Sequence, residues 1–171
     1  MNLKEIDNII LVIGKTEGHI DQSIFAREIL NEKKGPPPEI NFFNEKNNGE
    51  TILNLIKKGY IESAHDVSLG GIIIALAKMC ISGNKGAKLK KPNYLINKFN
   101  YLFGEDQGRY IIEIKKDNFN NVKEILNKSS VHFDELATII ESDIIIDKES
   151  KISIDEITKS SKNWLTNYMN Q

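Results

Sequence analysis

Three polar loops carry the side chains that could do chemistry, and each one abuts an apolar run. The stretch Ser63–Gly83, "SAHDVSLGGIIIALAKMCISG", places His65 and Asp66 ahead of Ser68 and the adjacent Gly70 and Gly71, then becomes almost wholly apolar. Two glycines at a helix start let the backbone approach a ligand closely, and the free N–H groups there attract an anion through the positive end of the helix dipole. Ser68 either caps that helix or touches a phosphate, and His65-Asp66 either fixes a turn or transfers a proton. The lysine and the long glycine spacing of a Walker loop are missing. The second loop, "LFGEDQGRY" (Leu102–Tyr110), sets Glu105, Asp106, Gln107 and Arg109 around Gly104 and Gly108. Its mixed acceptors and donors suit polar ligand recognition at a strand edge, or simply a charged turn. In the third, "GKTEGHIDQS" (Gly14–Ser23), Lys15, Thr16 and Ser23 could reach a phosphate; a plain strand-to-helix connection is the competing reading.

Other chemistries fail on spacing. His19, His65 and His132 lie far apart without paired ligand spacing, and Cys80 sits alone inside an apolar helix, so zinc is not expected. No Gly-x-Ser-x-Gly elbow is present, and the carboxylates form no recognisable acid/base pair; no catalytic residue and no metal ligand are assigned. Charge is balanced, 23 basic against 24 acidic residues, which argues against a nucleic-acid or membrane partner held by bulk electrostatics. One cysteine excludes an internal disulfide framework, and no basic-apolar-small leader is read at the start, so the cytoplasm is the expected compartment. The longest apolar run, around Gly70 to Ile81, is interrupted by Lys78 and falls short of the roughly 20 residues a bilayer span requires. A chain of 171 residues can bury one sizeable core, so residues 1–171 are expected to form a single domain.

The elements that must position these loops follow from periodicity. Asn8–Gly14 reads as a buried strand stopped by glycine, and a helix follows from Asp21 with Ile24, Phe25, Ile29 and Leu30 as its stripe, capped by Asp21 or Ser23. Pro36–Pro38 make a stiff surface crossing. A helix over Glu45–Lys58 uses Ile52, Leu53 and Ile56, with Gly59 past its end. Tyr60–His65 is a short strand, Gly70–Ser82 a buried helix, and "SGNKG" a turn. Leu89–Tyr101 is poorly patterned, Tyr110–Ile114 is the clearest strand, and Phe119–Leu126 is a helix with Asp117 as candidate cap. Leu136–Ile140, Ile144–Ile146 and Ile152–Ile154 are three further short strands. A helix from Asp155 to about Tyr168 closes the pattern, with Ile157, Trp164 and Leu165 on one face. Such alternation favours an α/β (α+β) fold: a mixed β-sheet with helices packed on it.

Taken together and in this order, the three loops resemble the C-terminal domain of the aminoimidazole ribonucleotide synthetase-related superfamily. The nearest likeness within it is to the last such domain of the phosphoribosylformylglycinamidine synthases. The His-Asp-Val-Ser-x-Gly-Gly string from His65 is the most specific part, and Phe103-Gly104-Glu105-Asp106-Gln107 followed by Arg109 supports it. The resemblance implies an α/β domain that packs on an N-terminal-type ATP-binding domain of a larger enzyme, with a glutamine amidotransferase subunit as a further partner and a homodimer as an option. That enzyme uses ATP and Mg to amidate formylglycinamide ribonucleotide in purine biosynthesis. Its catalytic histidine and main magnesium ligands lie in other domains, so a chain of this kind is expected to be inactive alone. The resemblance further implies an auxiliary, pseudosymmetric nucleotide site with Glu105, Asp106 and Gln107 as candidate contacts; a phosphate is expected at the helix start of Ser68, Gly70 and Gly71 with Arg109 nearby, and His65 and Asp66 are further ligand-loop candidates. One departure stands out: the family places an acid between the serine and the glycine pair, where this chain has Leu69. A non-catalytic interaction module, or a domain of a sister ATP-dependent synthetase, is the alternative reading.

Overall fold

The computed structural model describes residues 1–148 and 150–169. Strands β1 (Ile9–Ile13), β2 (Ser63–Val67), β3 (Gly86–Leu89), β4 (Arg109–Ile114), β5 (Phe133–Ile140), β6 (Ile144–Ile145) and β7 (Lys151–Ile152) form one sheet in the order β2-β4-β1-β5-β3-β6-β7. Every adjacent pair is antiparallel except β3 and β6, which run parallel, so the expected mixed sheet is mixed through that pair.

The helices are α1 (Ile24–Glu28), α2 (Phe42–Lys57), α3 (Gly71–Gly83), α4 (Lys98–Phe103), α5 (Phe119–Lys128) and α6 (Ile154–Met169). They cover both faces of the sheet. Ile10 and Val12 of β1 share a core with α3, α4 and α6, whereas Leu11 and Ile13 share one with α2 and α5. A central strand wetted on neither face has no polar side to show, which is why β1 reads as an unbroken apolar run. The same logic explains α3: Ile72, Ile73, Leu76, Met79 and Cys80 are buried between the sheet and its neighbouring helices.

Several sequence-derived elements shift, each for a local reason. Helix α1 is a single short turn whose buried residue is Ala26; Asn31 takes a positive φ of 55° just beyond it, and Ile29 and Leu30 end up exposed. Of its two candidate caps, Ser23 does the work, its Oγ accepting the Ala26 N–H at 3.1 Å. Helix α2 begins earlier, capped by Asn41, and buries Asn48, Thr51, Ile52 and Leu55 while Leu53 and Ile56 face outward. Its inner stripe starts polar, so of the expected apolar stripe only Ile52 faces inward, joined by Leu55. Strand β2 lies nearer the glycine pair than expected, and the poorly patterned region contains the end of β3 and the first four residues of α4. Asp117 caps nothing: it lies in a 3-10 turn (Lys116–Asn118), and Asn118 precedes α5 without a side-chain cap. Ile154 belongs to α6 rather than to a strand, Trp164 is exposed, and the side chain of Leu165 lies outside the described residues.

Candidate functional site

The fold brings the three polar loops into contact, and Arg109 is the residue they meet on. It opens β4, is 1% exposed, and is the largest fully buried side chain among the described residues. Its Nε donates to the Asp106 carbonyl oxygen (3.1 Å), one terminal nitrogen to Thr16 Oγ1 (3.1 Å) and the other to the Gly104 carbonyl oxygen (2.7 Å). Asp106 Oδ2 lies 3.4 Å from the guanidinium. Burial lowers the pKa of Arg109, while Asp106 is the chief group opposing the shift.

The two acids of the second loop bind backbone N–H groups of the other loops. Asp106 accepts from Gly18 and His19 (both 3.0 Å), which holds the loop after β1. Glu105 Oε1 accepts from Ile24 (2.9 Å) and from Gly70 (2.8 Å), so one carboxylate oxygen serves the first turn of α1 and the start of α3. A carboxylate at a helix N-terminus meets the same orphan N–H groups and dipole that would draw a phosphate. The next amide is also engaged: Gly71 N–H donates to the Ser68 carbonyl oxygen at 3.0 Å.

The glycine pair answers to packing. Gly70 is the N-cap of α3 with φ 85°, and Gly71 follows at φ 71°. A Cβ on Gly71 would come within 2.6 Å of the Gly104 carbonyl oxygen and 2.7 Å of that of Leu102, so the helix start lies directly against α4 and the second loop. Ser68 is exposed and does not cap α3, and Leu69 is 61% exposed at the corner. His65 and Asp66 form a local pair, with His65 Nδ1 2.6 Å from the Asp66 carbonyl oxygen and 3.2 Å from Asp66 Oδ1. They sit on β2, an edge strand of the sheet.

A wide opening of about 630 Å³ lies elsewhere. Its walls are the loop from Lys15 to Asp21, the Pro36–Pro38 crossing, the polar first half of α2, and Asp106 with Gln107. Of the residues singled out in the sequence for ligand contact at the second loop and glycine pair, only Asp106 and Gln107 reach it. His19 Nε2 stands 3.0 Å from the Pro36 carbonyl oxygen, which turns the proline connector into a wall. Asn48, 7% exposed, donates through Nδ2 to the Gly108 carbonyl oxygen at 2.9 Å. Asn100 Nδ2 likewise donates to the Gly18 carbonyl oxygen at 3.0 Å. Sequence reading missed Asn41, Asn44, Glu45 and Asn48; their signal was the polar run at the front of an otherwise amphipathic helix.

Chemically the opening is rich in carboxylates and amides: Glu17, Asp21, Glu39, Glu45 and Asp106 against Lys15 and His19. Such walls match hydroxyl and amine donors better than a bare phosphate. Among the described residues no group of three or more His, Cys, Asp or Glu side chains is placed to hold a metal ion. Cys80 is fully buried, and that burial pushes its thiol up to about 12, far from a reactive thiolate.

Residues 5–148 match the family described as AIR synthase related protein, C-terminal domain. The chain is 72% identical over 169 residues to the phosphoribosylformylglycinamidine synthase subunit PurL of Pelagibacter ubique (strain HTCC1062), covering 99% of this chain and 23% of that protein. Among solved structures, Thermotoga maritima PurL complexed with FGAR superposes with a TM-score of 0.74 at 19% identity, over 92% of this chain and 29% of that one. The same protein complexed with ATP gives 0.68 at 18% identity, over 92% and 26%. The chain therefore spans about a quarter of the length of the curated relative it matches.

Proposed function

The chain belongs to the AIR synthase related protein, C-terminal domain family, and from that premise we propose that it is the last such domain of a PurL-type phosphoribosylformylglycinamidine synthase. The observation that carries this reading is the 72% identity to Pelagibacter PurL across 99% of the chain. In that role it serves the ATP-dependent amidation of formylglycinamide ribonucleotide in the cytoplasm, beside an ATP-binding domain, the remaining domains of the synthase and a glutamine amidotransferase subunit. ATP and magnesium belong to the assembled enzyme. Nothing in the donor set of the described residues forms a metal cluster, so no metal step is assigned to this chain.

Its own contribution is architectural. Glu105, Asp106 and Arg109 hold three loops in one fixed arrangement, and the buried α3 anchors the start of that arrangement in the core. An auxiliary nucleotide phosphate at the α3 start would compete with the Glu105 carboxylate for the Gly70 amide. The more open surface for a polar ligand is the opening lined by Asp106, Gln107 and α2.

The test is reconstitution. The 171-residue chain, alone, should give no ATP- and glutamine-dependent product from formylglycinamide ribonucleotide; co-expressed with the remaining three quarters of the Pelagibacter protein and its amidotransferase, it should restore turnover. Product from the chain alone would refute the auxiliary role. Failure to associate with, or to activate, the complementary piece would refute the domain assignment.

A further inference from the structure

The opening between the loop after β1, the Pro36–Pro38 crossing and α2 carries a charge imbalance that the fold leaves standing. Asp21, Glu39 and Glu45 line it, and none of these three carboxylates has a hydrogen bond or an ion pair among the described residues. The one lysine in its wall, Lys15, is already paired with Glu17 at 2.6 Å, and His19 Nε2 is turned to the Pro36 carbonyl oxygen. Uncompensated acids around one opening of about 630 Å³ repel one another, and a cation among them relieves that repulsion.

A buried side chain points to the same ligand independently. Asn48 is 7% exposed and commits its Nδ2 to the Gly108 carbonyl oxygen at 2.9 Å, while its Oδ1 accepts from no donor among the described residues. The unpaired side-chain atoms sealed from solvent among the described residues are Ser63 Oγ and the Tyr101 hydroxyl, so the Asn48 oxygen is open to the cavity that its residue lines. An amide carbonyl there accepts from an N–H donor and repels an anion.

The walls also narrow the kind of cation. Among the described residues no three His, Cys, Asp or Glu side chains are placed to hold one metal ion, so a point charge would find no complete shell. No aromatic side chain lines the opening, so a nucleobase would have no ring to stack on. Ile20 and Pro36–Pro38 add apolar wall that suits methylene groups. We propose that this opening binds an extended aliphatic polyamine: ammonium groups at the Asp21, Glu39 and Glu45 carboxylates, methylenes along the proline wall, and one N–H donated to Asn48 Oδ1. The inference rests on this opening alone and stands apart from the synthase reading.

Spermidine titrated into the full chain at low salt, followed by amide NMR, tests it. The Asn48 side-chain amide and the backbone amides from Lys15 to Asp21 should shift saturably, and raising sodium chloride to about 0.5 M should weaken binding at least about 5-fold. A neutral diol of the same length and magnesium chloride should each leave those resonances in place. Asp21→Asn combined with Glu45→Gln removes two charges that hold no other residue, so the melting temperature should stay the same while the affinity falls about 10-fold. No saturation by about 10 mM would overturn the proposal, as would equal affinities for wild type and the double variant. Equal shifts with magnesium chloride would reduce the opening to a diffuse cation atmosphere, and equal shifts with the diol would remove the charge requirement; either result sinks the assigned ligand class.

Discussion

Removing the Asp106 carboxylate should destabilise the chain far more than a loop substitution normally does. Asp106→Ala takes away the charge 3.4 Å from a guanidinium with no exposed side-chain surface, and the acceptors of the Gly18 and His19 N–H groups. Breaking a buried pair by deleting one partner costs about 3–5 kcal/mol, because the remaining charge stays desolvated. Arg109 would keep three oxygens, those of Asp106, Thr16 and Gly104, which holds the charge term near the lower end. The two loop N–H groups add about 0.5–1.5 kcal/mol each where water cannot replace the acceptor. The total is about 4 kcal/mol, which for a chain of this size lowers the melting temperature on the order of 10 °C. Urea unfolding of wild type, Asp106→Ala, Arg109→Met and the double variant gives the coupling directly. We expect at least about 2 kcal/mol of interaction between the two positions. A loss below about 1 kcal/mol in Asp106→Ala, the level of a solvent-exposed pair, would refute the claim that Arg109 is a buried charge organised by this loop.

Two further outcomes follow from the backbone and from burial. Gly59 and Gly71 share a φ of 71°, but an added Cβ meets nothing within 4 Å at Gly59 and three backbone atoms within 2.7 Å at Gly71. Gly59→Ala should therefore cost only the left-handed strain, about 1–2 kcal/mol, and Gly71→Ala at least about 2 kcal/mol more, measured as the difference between their unfolding midpoints. Cys80 keeps its proton in the folded chain up to about 12, whereas the unfolded thiol releases it near ~8.5. The folded state then binds more protons across that window, so stability should fall as pH rises from roughly 8.5, and native-state alkylation of Cys80 should track unfolding. Fast alkylation in native buffer at pH 8 would contradict the burial.

Legibility differed between elements for physical reasons. Strands β1 and β4 and helix α3 were readable because each is covered on more than one side, which leaves a long apolar run in the sequence. Helix α2 was found, but its inner face was only partly read: Ile52 is buried as expected, whereas the buried position that binds the second loop is Asn48 rather than an aliphatic residue. Strand β3 and helix α4 were missed because one is four residues long and the other six. Glu113 also gave no sign of its place: it lies fully buried in β4, where its carboxylate accepts from the Lys4 and Glu5 N–H groups and from Asn8 Nδ2. An acid inside "YIIEI" reads as the wet position of a strand, and only the N-terminal segment folding over it supplies its donors.

By itself the sequence determined which stretches are polar loops, which runs are core, and which family the glycine-pair and Glu-Asp-Gln strings resemble. Composition and spacing are local properties, and they carry that much. What the tertiary structure decided is where each polar group finds its partner. Glu105 reaches an amide 35 residues back at Gly70 and another 81 residues back at Ile24, Asp106 reaches across 88 residues to Gly18, and Arg109 across 93 to Thr16. Those pairings turn a helix start that reads as an open anion site into one already holding a carboxylate. They arise because the antiparallel β4–β1 pairing brings the end of β1 and the start of β4 together at one end of the sheet, a consequence of topology that no window of neighbouring residues contains.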